Sequence, residues 1–109
     1  MKLISGGVCA AKGFLAGGIH CGIRKNRTKR DLALIYSKTP CTGAAVYTTN
    51  LVKGAPLTVT KLHISDGIAQ AVICNSGNAN TCNADGIEGA EKMSDLLSQN
   101  IAVRPNDVI

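Results

Sequence analysis

An asparagine-rich stretch, residues 74–86, contains the residue types best suited to chemistry in this chain. It reads CNSGNANTCNADG and directly follows the most apolar run, residues 69–73. Asparagine amides can orient a substrate, glycine allows close backbone approach, and backbone N–H groups ahead of a helix can hold an anion. Asn and Gly also suit a plain strand-to-helix connection, because both tolerate left-handed backbone conformations. On residue types alone, the plain connection is the favoured interpretation.

Other signatures of catalysis or metal binding are missing from the sequence. There is no GxSxG elbow, P-loop or GxGxxG fingerprint, and His20 and His63 are isolated histidines without a zinc-ligand spacing. The five cysteines form no CxxC pair. We therefore expect no metal site, and reduced thiols in a cytoplasmic protein, because the first residues also lack a signal-peptide pattern.

Positive charge is concentrated in residues 24–30, RKNRTKR. The segment holds five of the twelve basic residues, so the net charge of +5 resides there and the rest of the chain is neutral. One interpretation is a phosphate-contacting loop, which would make the chain a small basic nucleic-acid-binding module. No aromatic residue is interleaved with the charges, and the segment lies between two strand-like runs. A solvated hairpin tip is therefore favoured.

Hydrophobic patterning predicts several short strands in the first two thirds of the chain. Residues 13–23, 31–37 and 44–49 fit an antiparallel meander, with Pro40 and Gly43 as turn residues after the second strand. Two further runs follow. Alternation predicts a short or edge strand at 57–64, and the apolar residues 68–74 form the best buried-strand candidate.

The pattern becomes helical from Gly86. Apolar residues recur every three or four positions on one face, and acidic residues occupy the opposite face, which we interpret as solvated. The helix should end near Asn100, before Arg104 and Pro105. The last residues, 106–109, look like the beginning of another strand, so we expect residues 1–109 to be the N-terminal part of a single domain that is incomplete at its C-terminus.

Four segments together resemble a known family. They are GVCAAKGFLAGGIHCGIR, KRDLALIYS, AAVYTTNLVKGAP and AVICNSGNANTCNADGIEGAEKM. Their order and spacing are similar to the N-terminal, α-chain region of the glutamate N-acetyltransferases, the ornithine acetyltransferases of arginine biosynthesis. The similarity covers nearly all 109 residues.

This resemblance implies a function for the intact protein. Such enzymes cleave themselves before a threonine, which becomes the N-terminal nucleophile of the β chain. The threonine takes the acetyl group from N-acetylornithine and passes it to glutamate. Some members also accept acetyl-CoA, which is a substrate and not a bound cofactor, and nothing in these residues separates the two types. Both the nucleophile and a Thr-Gly oxyanion-hole pair should lie beyond Ile109, so we expect no catalytic residue in this chain, and no activity from it alone.

The resemblance also implies a fold, partners and a supporting site. The fold class is α/β, a layered α/β sandwich of which this chain would contribute four to five strands and one main amphipathic helix, 86–100. The partners would be the remaining α chain and the β chain of the same precursor, in an αβ heterotetramer. Within this chain we expect a loop beside the active site to brace the catalytic strands, through Asn75, Ser76, Gly77 and Asn78.

Overall fold

The computed structural model describes residues 2–109. Its regular elements, in chain order, are β1 (Phe14–Ile19), β2 (Leu32–Thr42), α1 (Pro56–His63), β3 (Ile68–Asn75) and α2 (Gly86–Ile101). Short 3₁₀ turns lie at Gly7–Ala10, Ile64–Asp66 and Pro105–Asp107. None of the described helices is both long and apolar enough to span a membrane.

The three strands form one antiparallel sheet in the order β1-β2-β3. In its register, Phe14 pairs with Ser37 and Tyr36 pairs with Ala71. The predicted strands at 13–23, 31–37 and 68–74 are confirmed as β1, β2 and β3. β3 is paired on its far edge as well, because Val108 forms a parallel bridge with Ala71. The last residues thus contain a single bridge to β3, and their continuation as a further strand stays a prediction.

The second strand is longer than predicted, and it contains Pro40 where a turn was expected. Its register against β3 shifts between Tyr36 and Cys41, so this stretch of β2 is irregular. A proline is tolerated there because a bulged stretch leaves some backbone N–H groups outside the ladder. The side chain of Ser37 is buried at the bulge, where its hydroxyl accepts hydrogen bonds from the Thr39 N–H and the Cys41 thiol.

The predicted strand at 44–49 is wrong. Residues 43–50 have no regular secondary structure, and Val46 is 99% exposed. A meander strand at 44–49 would have to pair with the edge of β2 that β3 occupies. The segment therefore has no strand partner among residues 2–109, and within it Val46 is exposed whereas Tyr47 is partly buried.

The predicted strand at 57–64 is also wrong, since these residues form helix α1. Pro56 occupies the first helical turn, where a missing N–H costs nothing. Val59 and His63 are the buried residues of the helix, four positions apart on one face. Tertiary packing on that face outweighs the alternation of apolar and threonine residues that indicated a strand.

The long C-terminal helix agrees with its prediction. α2 extends from Gly86 to Ile101, one residue beyond the expected end, and its acidic residues are exposed. The fold is thus α/β as predicted, but the strand count of four to five is too high. The described residues contain three strands and one bridge, and they contain two α-helices where one main helix was expected.

The buried core is small and lies where β3, α2 and the last residues meet. Ala71, Val103 and Val108 form its centre. Partly buried residues of β2, β3 and α2 pack around them: Leu34, Tyr36, Ile73, Leu97 and Ile101. This packing fixes β3 against the C-terminal half of α2, and the connecting loop runs from the end of β3 to the start of that helix.

Candidate functional site

A cavity of about 410 Å³ lies between α1, α2, the end of β3 and the last two residues of the chain. Its polar wall is formed mainly by residues of the asparagine-rich loop, which are Asn75, Asn78, Asn80, Asn83 and the carboxylate residue Asp85. Its other walls are largely apolar and come from the two helices and from Val108–Ile109. A mostly apolar cavity with a few convergent polar groups is the usual form of a small-molecule site.

The asparagine amides in this wall bind one another. Asn80 Nδ2 donates to Asn75 Oδ1 at 2.6 Å, and Asn75 Nδ2 donates back to Asn80 Oδ1 at 3.3 Å. Asn78 Nδ2 also donates to Asn80 Oδ1, at 3.2 Å. Asn83 Nδ2 closes the loop from the other side by donating to the carbonyl of Ala79 at 2.9 Å. Side-chain bonds of this kind replace backbone pairing in a loop and hold it in one conformation.

The four residues predicted as one supporting group lie in two different environments. Asn75 and Asn78 line the cavity. Ser76 and Gly77 instead contact Arg24 of the basic loop: Arg24 Nε donates to Ser76 Oγ at 3.2 Å, and the Arg24 side chain covers Gly77. The structure therefore brings the two asparagines to the cavity and uses the residues between them to attach the loop to the β1–β2 connection.

The basic segment 24–30 lies in the connection between β1 and β2, as expected of a hairpin tip. Its lysines and its other arginines are exposed, whereas Arg24 is half-buried. The segment therefore has two parts, an exposed charged tip and one arginine that is a structural contact.

Asp31 organises this connection and was not among the predicted site residues. Asp31 is 2% exposed, and its carboxylate accepts hydrogen bonds from the backbone N–H of Cys21 at 2.7 Å and of Arg24 at 2.9 Å. His20 Nδ1 lies 3.0 Å from its second oxygen. The Asp31 carbonyl accepts from the Ser76 N–H at 2.9 Å, so the same residue joins both loops.

The carboxylate of Asp31 is held in its charged form. Burial by itself would raise its pKa, but hydrogen bonds from the Arg24 and Cys21 N–H groups and from the Cys21 thiol, with the nearby His20, outweigh it. The net result is a pKa of Asp31 well below its usual range. The same neighbourhood raises the pKa of the Cys21 thiol, through desolvation and through its hydrogen bond to Asp31. A signal was available in the sequence, since Asp31 is the single carboxylate between the basic segment and a strand.

Two side-chain contacts involve the last residues, and the first of them joins these residues to α1. His63 Nδ1 donates to the carbonyl of Val108 at 2.8 Å, in a buried position. Arg104 forms two hydrogen bonds of 2.8 Å to the buried carboxylate of Asp107, which raise the pKa of the Arg104 guanidinium. Ile109 continues the pairing, donating to the Ala71 carbonyl and accepting from the Ile73 N–H, both at 2.8 Å.

The chemistry available in this cavity is binding and positioning. The asparagine amides already bind one another, and the Ser94 hydroxyl donates to the carbonyl of Ala90 in its own helix. In residues 2–109 there is no group of three His, Cys, Asp or Glu side chains placed to hold a metal ion. The arrangement places these amides and the Asp85 carboxylate around the same cavity as Val108 and Ile109.

Comparison with known proteins identifies the family. A model of the ArgJ family matches residues 15–109. The chain belongs to the ArgJ family. The arginine biosynthesis bifunctional protein ArgJ of Symbiobacterium thermophilum is 44% identical over 107 residues, which are 96% of this chain and 27% of that protein. The ArgJ of Caldanaerobacter subterraneus is 41% identical over 110 residues. The chain thus spans about a quarter of the length of these ArgJ relatives and corresponds to their N-terminal region.

Solved ArgJ structures have the same fold. The crystal structure of ArgJ from Bacillus halodurans matches with a TM-score of 0.88 and 40% identity, covering 94% of this chain and 54% of that one. Ornithine acetyltransferase from Mycobacterium tuberculosis, crystallised with ornithine, matches with a TM-score of 0.79 and 32% identity, covering 93% and 55%. The resemblance to this family that the sequence motifs indicated is therefore confirmed.

Proposed function

We propose that this chain is the N-terminal part of an acetyltransferase that moves an acetyl group from N-acetylornithine to glutamate in arginine biosynthesis. The observation that carries the proposal is the ArgJ family match over residues 15–109, together with the shared fold of an ornithine acetyltransferase crystallised with ornithine. A cytoplasmic location remains a prediction of the same proposal.

In this proposal the chain contributes support and no reacting group. The acetyl-accepting threonine and the oxyanion-hole pair would belong to the polypeptide that follows position 109 in the longer relatives. The remaining α chain and the β chain would be partners in an αβ heterotetramer. The chain alone would then be inactive.

The position of the cavity supports this division of roles. Val108 pairs with Ala71 and Ile109 bonds to Ile73, so the last residues run parallel to β3. A strand that continued in this register would pass Asn75, the first residue of the amide network. The asparagine loop would then brace the strand that leads to the oxyanion hole, which is the role expected of Asn75 and Asn78.

Acetyl-CoA is a second acetyl donor to be tested. Curated relatives are named bifunctional, which favours an enzyme that also accepts acetyl-CoA. The alternative of a nucleic-acid-binding module has less support, because the family match includes the basic loop and Arg24 is engaged with Ser76.

The test uses a full-length polypeptide, defined as this chain continued with the residues that follow the aligned region in the Symbiobacterium thermophilum relative. We expect it to acetylate glutamate with N-acetylornithine as donor, and with acetyl-CoA if the bifunctional assignment holds. Absence of acetyl transfer from both donors, in a preparation that is folded and cleaved, would refute the proposal.

A further inference from the structure

The chain exposes more surface than a self-contained protein of its size. Its accessible surface is 7877 Å² for a mass of 11.3 kDa. A folded monomer of that mass exposes about 5,700 Å², so the excess is roughly 2,100 Å². The radius of gyration, 14.7 Å, likewise exceeds the value of about 13 Å expected for this length. An excess of this size is what one side of an obligate interface buries.

Part of this surface is an apolar groove between β1 and the C-terminal half of α2. The groove has a volume of about 380 Å³. On the β1 side it exposes Leu15 by 52% and Ile19 by 59%, with Gly17 between them. On the helix side it is bounded by Leu97 and Ile101. Within residues 2–109, no charged side chain lines it.

This groove is the open end of the hydrophobic core. Leu97 and Ile101 pack against the central core residues and also line the groove. Nothing stands within 4 Å of the place where a Cβ at Gly17 would lie, so an occupant could rest directly on the strand backbone. The site therefore fits an apolar segment, and burial of such a segment would complete the core.

We propose that this groove, defined by Leu15, Gly17, Ile19, Leu97 and Ile101, binds an apolar segment of the polypeptide that follows the N-terminal region in longer ArgJ proteins. The proposal rests on the proposed function. The choice of occupant follows from length, since the chain corresponds to about a quarter of its relatives, and from the excess surface, which matches an obligate interface. A second copy of this chain is an alternative that the test distinguishes.

The test co-expresses this chain with a complementary polypeptide, the part of the Symbiobacterium thermophilum relative that follows the aligned region. Co-purification is measured for the wild type, for Leu15→Glu and for Leu96→Glu. Leu96 is the matched control because it is 51% exposed, like Leu15, but lies on α2 outside the groove. We expect Leu15→Glu to reduce the recovered partner roughly tenfold or more, because a carboxylate would be buried in an apolar groove, and Leu96→Glu to leave it near the wild-type amount.

Hydroxyl-radical labelling of the wild-type chain provides a readout that needs no variant. In the pair, oxidation of Leu15 and Ile19 should fall several-fold relative to the chain alone, whereas oxidation of Leu96 should not. Equal protection of Leu96, or groove side chains labelled as strongly in the pair as in the chain alone, would overturn the proposal. Protection of the groove in the chain alone, with a dimer in solution, would also overturn it in favour of a second copy.

The proposal and the proposed function can fail separately. A pair that forms with a protected groove but transfers no acetyl group would refute the function and leave the groove assignment standing. A pair that transfers acetyl groups with an unprotected groove, and tolerates Leu15→Glu, would refute the groove assignment alone.

Discussion

The side chain of Arg24 lies against the backbone of Gly77. A Cβ at position 77 would stand 2.5 Å from Arg24 Cγ, and the φ angle of Gly77 is +99°. The arginine thus occupies the space that any other residue at 77 would need. Because Arg24 Nε also donates to Ser76, the basic loop and the asparagine loop are joined over two consecutive residues.

This contact predicts that Gly77→Ala destabilises the full-length polypeptide by about 1–3 kcal/mol, through the positive φ and the displaced Arg24 side chain. Thermal unfolding measures the change. The matched control is Gly22→Ala, since Gly22 has a similar φ of +95° but nothing within 4 Å of its ideal Cβ. A loss of stability at 77 no larger than at 22 would contradict the account of this contact.

The second prediction concerns pH and Asp31. The pKa of Asp31 is depressed in the folded protein, so its charged form stabilises the fold above the unfolded-state pKa of about 3.9. That contribution is lost as pH falls below this value toward the folded pKa. Asp31→Asn should therefore have a lower melting temperature than the wild type at neutral pH. The difference in stability between the two proteins should shrink as pH falls from about 5 to about 3, because the wild type then loses the contribution of the charged carboxylate.

The control for Asp31 is Asp95→Asn, which changes an exposed carboxylate on α2. We expect this variant to follow the wild-type melting curve closely at every pH. If the difference between Asp31→Asn and wild type stayed constant across the acid range, the low pKa of Asp31 would not be a source of stability.

The sequence was sufficient for the elements whose signals were local. The apolar run of β3 and the helical period of α2 depend on a single stretch each, and both are confirmed. α1 was mistaken for a strand because its threonines alternate with apolar residues, and only packing of Val59 and His63 selects the helix. The family could be recognised from motif order, which is confirmed by the match over residues 15–109.

The site was predictable only in part, for a physical reason. The asparagine loop was identified from composition, but its division between the cavity and Arg24 depends on a contact between residues 52 positions apart. Asp31 was not predicted because its importance lies in backbone N–H groups that converge on it, and its place beside the basic segment does not reveal that convergence. The supporting role of the loop in catalysis remains a prediction.

Asn75 and Asn78 should differ in their effects. Asn75→Ala removes both hydrogen bonds between the two amides and leaves part of Asn80 without a partner, at a cost of about 1–3 kcal/mol. Asn78 is exposed and donates one longer bond, so Asn78→Ala should cost about 0.5–1 kcal/mol. We expect the double variant of the full-length polypeptide to lose turnover as well. Wild-type turnover and melting temperature in the double variant would make the loop a plain connection.

His63 should matter for the bridge between Val108 and β3. His63→Ala removes the buried donor to the Val108 carbonyl and should destabilise the full-length polypeptide by about 1–3 kcal/mol. Lys61→Ala, an exposed change on the same helix, is the control and should be nearly neutral in thermal unfolding. Equal effects of the two substitutions would show that His63 does not hold Val108 against β3.

The central claim is that this chain supplies the N-terminal region of an ArgJ acetyltransferase. Its most direct test measures acetyl transfer from N-acetylornithine to glutamate by this chain, by the complementary polypeptide, and by the co-expressed pair. We predict activity for the pair and none for either part alone. The claim would be contradicted by a complementary polypeptide that is equally active without this chain. It would also be contradicted if the pair were inactive while the same complementary polypeptide became active with the N-terminal region of the Symbiobacterium thermophilum relative.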